Sequence, residues 1–514
     1  MLPLSRRWLP RANGRARLRA LPAWAQLLGL GGLSVGVIWL GLLRPYSLSA
    51  LRLIPLRSIP KLTQGEPLAQ AGFVLTVAAL SGLYYLAWRV CRSAGRDPAA
   101  SRPAGLALAG SLLALNAAML WLYPIGAADI FDNILRGRIT AVHGGNVFYE
   151  TPRDYPGDAF RYYVAWPHST SAYGPVWELL ASGASRVAGD DQLTNVLVFK
   201  LLGVGFYAGS AGLAALILRC RAPERVLQGV CLFAWNPVVI YETAGNGHND
   251  ITVAFFILLA VWALLSRRFT VAVLALLAGA LVKYIPALLL PIAVAYGLRG
   301  LANWRARARY LATAGLAGAA LVVVTFAPFW RGGDVLALER RTTLFTTSLP
   351  ALAQAHLEMW LGLEPSQQVT AKLATALAVA AAGWQAWRVW RDPRWLRPVQ
   401  AMAQVLLVYL LWACLWFQSW YAVWPLALAA LLPEGAVGRT IVLLSYAAAW
   451  KTIIFDFLLY RGGPLPPRLW RETVLGPATL GLVWLYVGYR IARRGWRERR
   501  QTGAAIQTPT GAAA

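Results

Sequence analysis

The sequence predicts an all-α, polytopic membrane protein. Of its 514 residues, 58% are hydrophobic, and the mean hydropathy is +0.50. Apolar runs of about 20 residues, the length that spans a bilayer as an α-helix, recur from one end of the chain to the other. Arginines cluster in short segments between alternate runs, as in the cytoplasmic loops of multi-pass proteins. The clusters predict a cytoplasmic-membrane protein with both termini in the cytoplasm.

The apolar runs predict about 12–14 transmembrane helices. The first run is too long for the core of a signal peptide, so we interpret it as a retained anchor. The loop 44–67 departs from the charge pattern, because it places four cations outside: Arg44, Arg52, Arg57 and Lys61. The runs lie at 22–43, 68–90, 104–124, 194–219, 226–243, 248–266, 270–283, 285–298, 309–330, 369–391, 399–417, 419–432, 437–460 and 474–492.

Together the runs and loops divide the chain into five parts. The long outer loop is predicted to contain amphipathic surface helices, and the Ala/Thr/Gly-rich tail is predicted to be disordered. The parts are a basic cytoplasmic N-terminus (1–21), N-terminal transmembrane helices (22–124), the outer loop (125–193), a transmembrane core with a second outer loop at 331–368 (194–492), and a cytoplasmic tail (493–514).

The strong positive charge follows from membrane topology. There are 49 Lys and Arg residues against 22 Asp and Glu, which gives a net charge of +27. No basic surface is interleaved with exposed aromatic residues, so nucleic-acid binding is not expected. Contacts with membrane lipids suit the arginine clusters better. The four cysteines lie in apolar runs or at their inner ends, which argues against a disulfide framework.

The loop after the third run carries the densest group of titratable side chains. Within 129–143 polar residues recur on one helix face and apolar residues on the other, which predicts an amphipathic helix lying flat at the outer surface. The polar face comprises Asp129, Asp132, Asn133, Arg136, Thr140 and His143. A purely structural alternative has Asp129 favouring the helix N-terminus and Asp132 pairing with Arg136.

A second surface helix is predicted after residues 166–178, in a short segment that ends near Ala188. If that segment spanned the bilayer, Arg219, Arg221 and Arg225 would fall outside, against the charge pattern. The two surface helices would then flank one aqueous pocket.

Another group of polar residues lies in 236–250. A proline at its start predicts a kinked span, and two glycines predict a tight turn at the outer face. The side chains that follow could simply cap the next helix. Because they face the same compartment as Asp129, we interpret them as site residues. These residues are Glu242, His248, Asn249 and Asp250.

Polar breaks separate two pairs of short apolar runs. Lys283-Tyr284-Ile285-Pro286 forms the first break, and Phe417-Gln418-Ser419-Trp420-Tyr421 forms the second. Backbone breaks at membrane depth are tolerated only where they face protein or a water-filled cavity. A lysine between apolar helices is costly unless it meets an anion or extends to the interface. Lys283 is therefore a candidate anion ligand.

Several common catalytic motifs are absent from the sequence. It has no zinc-ligand spacing, P-loop, dinucleotide-binding glycine fingerprint or nucleophile elbow. If the protein transfers an activated group, a lipid-linked donor is therefore favoured over a cytosolic nucleotide. Asp129, Asp132, His248 and Asp250 could bind a divalent metal ion, or could act as acid, base and orienting groups without one.

Taken together, these motifs resemble membrane glycosyltransferases of the GT-C superfamily, and especially the bacterial polyprenol-phosphomannose-dependent alpha-1,6-mannosyltransferases. The resemblance covers roughly residues 100–430. Relatives often carry a second acidic residue where this chain has Ala128, and Asn-Pro-Tyr where it has Asn146-Val147-Phe148-Tyr149. The matching segments are Asp129 to Arg138 with Gly145-Asn146, Trp166 to Pro175, Asn236-Pro237 with His248-Asn249-Asp250, Lys283 to Pro291, and Trp420-Tyr421 before Trp424-Pro425-Leu426.

The resemblance implies a GT-C fold and an inverting transfer of one sugar, with mannose favoured, at the non-cytoplasmic membrane face. The donor it implies is a polyprenyl-phospho-sugar, and the acceptor is a hydroxyl of a glycan or lipid-linked molecule. In the family a carboxylate of the first outer loop is the general base, and Asp129 occupies that position.

The other candidate residues are expected to bind substrate. Cations among them suit the lipid phosphate, and aromatic rings suit a sugar face or a lipid groove. They are Asp132, Arg136, Arg138, Trp166, His168, Tyr173, Glu242, His248, Asn249, Asp250, Lys283, Gln418, Trp420 and Tyr421.

Two other functions remain open from the sequence. A polymerase or ligase of lipid-linked glycans would use a similar outer loop with an oligosaccharide donor. A polyprenyl-lipid flippase or transporter would also contain broken helices and intramembrane charges. Transporters usually consist of repeated halves with polar groups at the midplane, whereas here the polar groups gather in an outer loop and no repeat is visible.

Overall fold

The computed structural model describes residues 21–51, 55, 58–333, 344–392, 394–458 and 464–506. In these residues the chain is predominantly helical and contains no β-strand, so the all-α prediction is confirmed. Isolated bridges join Ser47 to Leu122 and Thr346 to Trp416. The predictions for 1–20, for Arg52 and Arg57, for 334–343 of the second outer loop, and for 507–514 of the tail lie outside the described residues.

The α-helices of the described residues are numbered in chain order. They are α1 (Ala23–Ile38), α2 (Arg44–Tyr46), α3 (Leu48–Leu51), α4 (Ile59–Leu62), α5 (Pro67–Ala94), α6 (Pro98–Leu120), α7 (Asp129–Ala141), α8 (Pro175–Ala188), α9 (Gln192–Arg221), α10 (Val226–Ala234), α11 (Pro237–Ile240), α12 (Asp250–Leu265), α13 (Phe269–Ala280), α14 (Leu290–Arg299), α15 (Trp304–Phe326), α16 (Leu349–Leu361), α17 (Leu363–Arg391), α18 (Leu396–Val408), α19 (Val423–Ala429), α20 (Ala436–Lys451), α21 (Pro467–Trp470) and α22 (Gly476–Ile506).

Shorter turns continue or connect these helices. The π-turns are Trp39–Leu43, Tyr241–Gly245, Tyr409–Ala413, Thr452–Phe457 and Arg471–Leu475. The 3-10 turns are Pro152–Asp154, Arg161–Tyr163, Pro223–Arg225, Ile285–Leu289, Ala327–Phe329 and Ser419–Ala422.

Among the described residues, eight helical stretches are long and apolar enough to cross a membrane, and α12, α13 and Ile285–Arg299 are shorter apolar helices. Each of the fourteen predicted runs overlaps one or more helical segments of the described residues. Breaks in the α-helices at 281–284 and 414–418 overlap the predicted breaks at 283–286 and 417–421, whose remaining residues lie in 3-10 turns. The eight stretches are Ala23–Tyr46, Pro67–Ala94, Pro98–Leu120, Gln192–Arg221, Trp304–Phe329, Leu396–Ala413, Ala436–Phe457 and Pro467–Arg493.

Helix α12 lies at the centre of the helix array. It packs against α9, α13 and α19, and most of its side chains are buried because the helix is apolar on all sides. Its N-terminal end begins with Asp250, where the partial positive charge of a helix start favours a carboxylate. The central helix thus presents an acidic residue at the face of the array where the 121–191 loop lies.

This loop covers one end of the array with α7 and α8, which are packed together. Both helices lie where the sequence predicts surface helices. Residues Ile130 to Ile139 of α7 are buried, because α8 and the 143–170 segment enclose the helix from both sides. Gly137 permits the close packing, since a Cβ at this position would lie 2.5 Å from the carbonyl oxygen of Ala181.

A buried lysine holds the segment that leads into α7. Lys200 of α9 is fully buried and donates hydrogen bonds to the carbonyl oxygens of Leu120, at 3.1 Å, and Leu122. These carbonyls lie at the end of α6 and two residues beyond it, where a helix leaves its last acceptors without backbone partners. The contact fixes the point at which the chain turns towards Asp129.

Candidate active site

Asp129 is the first residue of α7 and the most open carboxylate of the site. Its side chain is 19% exposed, and its Oδ2 lies 4.0 Å from Nε2 of His248. No hydrogen bond to this carboxylate is present in the described part of the chain. A carboxylate held on a rigid helix with unused acceptor positions is suited to accept a proton from a substrate hydroxyl.

The imidazole of His248 is oriented by a buried carboxylate. Glu242 accepts the Nδ1 hydrogen of His248 at 2.9 Å, and the backbone N–H of His248 donates to the Glu242 carbonyl at the same distance. The ring stacks on Trp420 with centroids 4.0 Å apart. Its Nε2 is buried and has no hydrogen-bond partner among the described residues. These contacts direct the free nitrogen of the ring towards Asp129.

Glu242 is itself held by two further side chains. Asn246 donates to its Oε2 at 2.9 Å, and Ser419 donates to its Oε1 at 2.6 Å. Asn246 also accepts the backbone N–H of Gly126 at 2.9 Å, three residues before Asp129. One hydrogen-bond network therefore joins the π-turn after α11, the second broken pair of helices and the entry to α7.

Lys283 forms the second charged centre of the site. Its Nζ donates to both carboxylate oxygens of Asp250, at 2.8 and 2.9 Å. Three aromatic rings surround the ammonium, with centroids 5.5 Å (Tyr173), 5.0 Å (Tyr421) and 5.5 Å (Trp424) from Nζ. A cation so close to ring faces is stabilised by their quadrupoles. Lys283 is thus paired with Asp250 within the protein. The alternative, in which its side chain extends to the membrane interface, does not describe it.

The Tyr173-Gly174-Pro175 motif attaches the long loop to the first helix break. The N–H of Gly174 donates to the Val282 carbonyl, and that of Val176 donates to the Leu281 carbonyl, both at 3.0 Å. A Cβ at position 174 would overlap the Leu281 carbonyl oxygen, so only glycine permits this approach. The contact brings Tyr173 onto Lys283.

Asp132, one helical turn beyond Asp129, has a different environment. Its carboxylate accepts the backbone N–H groups of Ala165 at 2.9 Å and Trp166 at 3.1 Å. Burial raises the pKa of Asp132 to about 6, an effect only partly offset by Arg136. These contacts make Asp132 the anchor of the 164–170 segment, which forms one wall of the site.

The two arginines of α7 differ in their availability. Arg136 lies 3.9 Å from Asp132 and donates to the Ser169 carbonyl at 3.3 Å, while its Nε has no partner in the described residues. Arg138 is fully engaged at the far end of the helix with Asp158 and Asp190. Because nine residues of α-helix extend about 13 Å, the structure does not bring Arg138 to Asp129.

The remaining predicted residues lie at the edge of the cluster. Trp166 is 36% exposed and contacts Trp416 edge-to-face at 5.9 Å, and His168 is exposed on the same segment. Gln418 is buried at the second break. Asn249 precedes α12, and its Nδ2 is buried without a partner in the part of the chain described.

The four candidate metal ligands do not converge. Asp132 is occupied by backbone N–H groups and Asp250 by Lys283, which leaves Asp129 and His248 alone. In the ranges that the structure describes, no group of three or more His, Cys, Asp or Glu residues is arranged to hold a metal ion.

Comparison with known proteins assigns the chain to a family. The family model described as "Alpha-(1->6)-mannopyranosyltransferase, N-terminal domain" matches residues 24–299. The chain belongs to this family. The matched region contains Asp129, Glu242, His248 and Lys283, whereas the break at 414–418 and the rings that follow lie beyond it.

Two curated relatives come from Corynebacterium glutamicum. Alpha-(1->6)-mannopyranosyltransferase B is 27% identical over 143 residues, which cover 27% of this chain and 23% of the relative. Alpha-(1->6)-mannopyranosyltransferase A is 23% identical over 209 residues, which cover 38% of this chain and 40% of the relative. The chain thus matches less than half the length of either relative. No solved structure matches it.

Sequence reasoning missed three residues that hold the site together. In the sequence Asn246 is only part of a turn, and Ser419 only part of a helix break, although both bind Glu242. Trp424 belongs to a segment that carries the family resemblance, yet nothing in the sequence indicates that its ring contacts Lys283. No periodic signal links residues 177 positions apart such as Glu242 and Ser419.

Proposed function

We propose that this protein is an inverting glycosyltransferase that moves one mannose from a polyprenyl-phosphate-linked donor to a hydroxyl of a glycan or lipid-linked acceptor. The observation that carries the proposal is the open carboxylate of Asp129, 4.0 Å from the unpartnered Nε2 of an oriented His248. Membership in a family described as mannopyranosyltransferases supports mannose as the sugar and α-1,6 as the linkage.

In the proposed reaction Asp129 removes the proton of the acceptor hydroxyl while its oxygen attacks the anomeric carbon. The bond from that carbon to the phosphate oxygen breaks on the opposite face, which inverts the anomeric configuration and releases the polyprenyl phosphate. His248 is a positioning residue: Glu242 fixes its ring through Nδ1, and its Nε2 faces the Asp129 carboxylate across 4.0 Å. A correctly placed general base contributes about 10²–10⁴-fold to the rate.

The leaving phosphate develops negative charge, which nearby cations would stabilise. Arg136 is favoured for this role because its buried Nε is unpartnered within the described residues. Lys283 already balances Asp250, and its ring surroundings make it a second, more constrained donor. The exposed Trp166 at the rim suits the apolar face of a sugar.

We further propose that the site faces the non-cytoplasmic side of the cytoplasmic membrane. Arginines recur at the helix ends opposite the 121–191 loop, for example at 219–225, 299–309 and 388–397, and short basic loops remain in the cytoplasm. Labelling of single cysteines introduced at the exposed positions His168 and Arg309 with an impermeant reagent tests this in intact cells. We expect labelling at 168 and none at 309, and the reverse pattern would contradict the orientation.

The central test is transfer of radiolabelled mannose from polyprenyl-phosphomannose by the purified protein. We expect Asp129→Asn to reduce transfer about 10²–10⁴-fold without weakening donor binding. Asp190→Asn is the matched control, since this aspartate is 87% exposed and bound only at the far end of α7. Transfer that survives Asp129→Asn would contradict the proposed base.

The alternatives give different results in the same preparation. A lipid-linked glycan polymerase or ligase would be inert with the monosaccharide donor and active with an oligosaccharide donor. A flippase would move a fluorescent polyprenyl lipid across proteoliposomes without forming a glycosidic bond. Either result with the wild type would replace the proposed reaction.

A further inference from the structure

A basic crevice shares no lining residue with the candidate active site. It is enclosed by α17, α18, α20 and α22 and has a volume of about 500 Å³. The second half of α18 and its π-turn line this crevice and lead to the break where Trp416 contacts Trp166. The arginines of the crevice lie near the end of α17 and on α22, whereas its apolar lining extends along α18 towards that break.

The positive charge at the mouth of the crevice is not balanced by acidic groups. Its lining includes Arg388, Arg490 and Arg493 and no carboxylate. The nearby Asp392 is already bound by Arg394, at 2.6 Å between Nη2 and Oδ2. A further arginine, Arg397, is buried, and its Nε has no partner within the described residues. Arg397 does not line the crevice, but it adds to the local positive charge, and a cluster of like charges without a carboxylate is a site for an anion.

The interior of the crevice is apolar below the arginines. Leu407, Leu411 and Trp412 line it from α18 and its π-turn, and Val437 and Val487 line the opposite side. A free phosphate ion gains nothing from such a floor. A phospholipid gains from both parts, because its phosphate meets the arginines and its acyl chain removes apolar surface from contact with water.

The side chains around the mouth indicate that it lies at the level of the lipid headgroups. Trp384, Trp387 and Trp390 are exposed on α17, on either side of Arg388 in sequence. The Arg307 guanidinium lies over the Trp390 ring at 5.7 Å, and the Arg391 guanidinium lies over the Trp387 ring at 5.1 Å. Exposed tryptophans and arginines together are typical of the membrane–water interface.

We propose that this crevice binds the headgroup and one acyl chain of an anionic phospholipid. The phosphate would contact Arg388, Arg490 and Arg493, and the chain would lie along Leu407 and Leu411. The buried oxygens of Gln385 and Gln404, which lack partners in the described part of the chain, are acceptors for hydroxyl hydrogens of a glycerol headgroup. This inference does not depend on the proposed mannosyl transfer.

Binding is tested on the purified full-length protein in a neutral detergent, by native mass spectrometry and thermal unfolding with added phosphatidylglycerol. We expect Arg388→Gln/Arg490→Gln to weaken the apparent affinity about tenfold or more. Val408→Trp, which fills the crevice and leaves its charge unchanged, should have a comparable effect. Arg305→Gln/Arg309→Gln is the matched control, because it removes two exposed arginines of α15.

Three results would overturn the proposal. Equal binding of phosphatidylcholine would show that the arginines do not select an anion. Equal protection by inorganic phosphate would mean that the site recognises a free anion and not a lipid. Equal loss in the α15 control would show that only the overall charge matters.

Discussion

An aspartate lies beside a histidine at each end of α7, but among the described residues the aspartate is hydrogen-bonded at one end and not at the other. At the C-terminal end Arg138 donates to Asp158 at 2.8 Å and contacts Asp190 at 3.0 Å, and Asp158 also accepts from His143 at 2.8 Å. At the N-terminal end Asp129 has no hydrogen bond in the described residues, and the imidazole of His248 lies 4.0 Å from its carboxylate.

This difference separates the charges that hold the loop from the charge available to a substrate. A buried ion pair with all its donors satisfied fixes one conformation and has no free position for a ligand. A partly exposed carboxylate on the same rigid helix keeps its acceptors free. We therefore expect substitutions at the two ends to affect different measurements: stability at Asp158, and transfer at Asp129.

The largest effect on stability is expected from Asp158→Ala. The side chain of Asp158 is 0% exposed and that of Arg138 only 6% exposed, so the substitution leaves a buried guanidinium short of a partner. Breaking such a pair costs about 3 kcal/mol. Thermal unfolding of the purified protein measures the loss. Asp190→Asn should change stability little, because exposed ion pairs contribute about 0–1 kcal/mol.

A smaller effect, on transfer, is expected from Glu242→Gln. The amide keeps the shape of the side chain but removes the negative charge that accepts the Nδ1 hydrogen of His248. Loss of a carboxylate that orients a metal-bound histidine typically costs about 10–100-fold, and we expect a loss of that size here. Mannose transfer should fall by this factor while unfolding remains within the range of the Asp190→Asn control. Full activity in Glu242→Gln would remove His248 from the mechanism.

The fold could be predicted from the sequence because span length and helix period are local properties. The surface helix predicted for 129–143 is found over Asp129–Ala141, and the segment predicted to end near Ala188 is α8. The enclosure of α7 could not be predicted, since its apolar face suggests contact with the membrane surface. The 143–170 segment covers it through contacts such as Asp132 with Ala165, which no periodicity encodes.

The site could be predicted only as a set of residue types. The grouping of Asp129 with His248 follows from loops that face one compartment. Lys283 and Asp250 are 33 positions apart, and their pairing depends on how α12 and α13 pack. No local pattern in the sequence indicates it. Arg138 shows the same limit. The sequence groups it with the candidate phosphate ligands, whereas in the structure it is bound by Asp158, 20 residues further along the chain, a contact with no signal in the sequence.

The smallest expected effect is a pH dependence that distinguishes Asp132 from Asp158. Burial raises the pKa of Asp132 from its ordinary value of 3.8 to about 6. The folded protein therefore binds a proton more readily than the unfolded chain between pH 4 and pH 6. The contribution of Asp132 to folding stability falls as pH rises through this window and is constant above it. From pH 5 to pH 7 the loss is about 1 kcal/mol.

Asp158 behaves in the opposite way. Burial alone would raise its pKa, but hydrogen bonds from the Phe160 N–H, His143 and Arg138 outweigh it and lower the pKa below the ordinary value of 3.8. Its contribution is present above that value, is lost only as pH falls through the lower folded pKa, and is flat from pH 5 to pH 7. The pH slope of unfolding between pH 5 and pH 6 should thus be smaller in Asp132→Asn than in wild type by the contribution of Asp132. A slope that is unchanged in Asp132→Asn would assign the titration to another group, and the contrast along α7 would then rest on Asp129 alone.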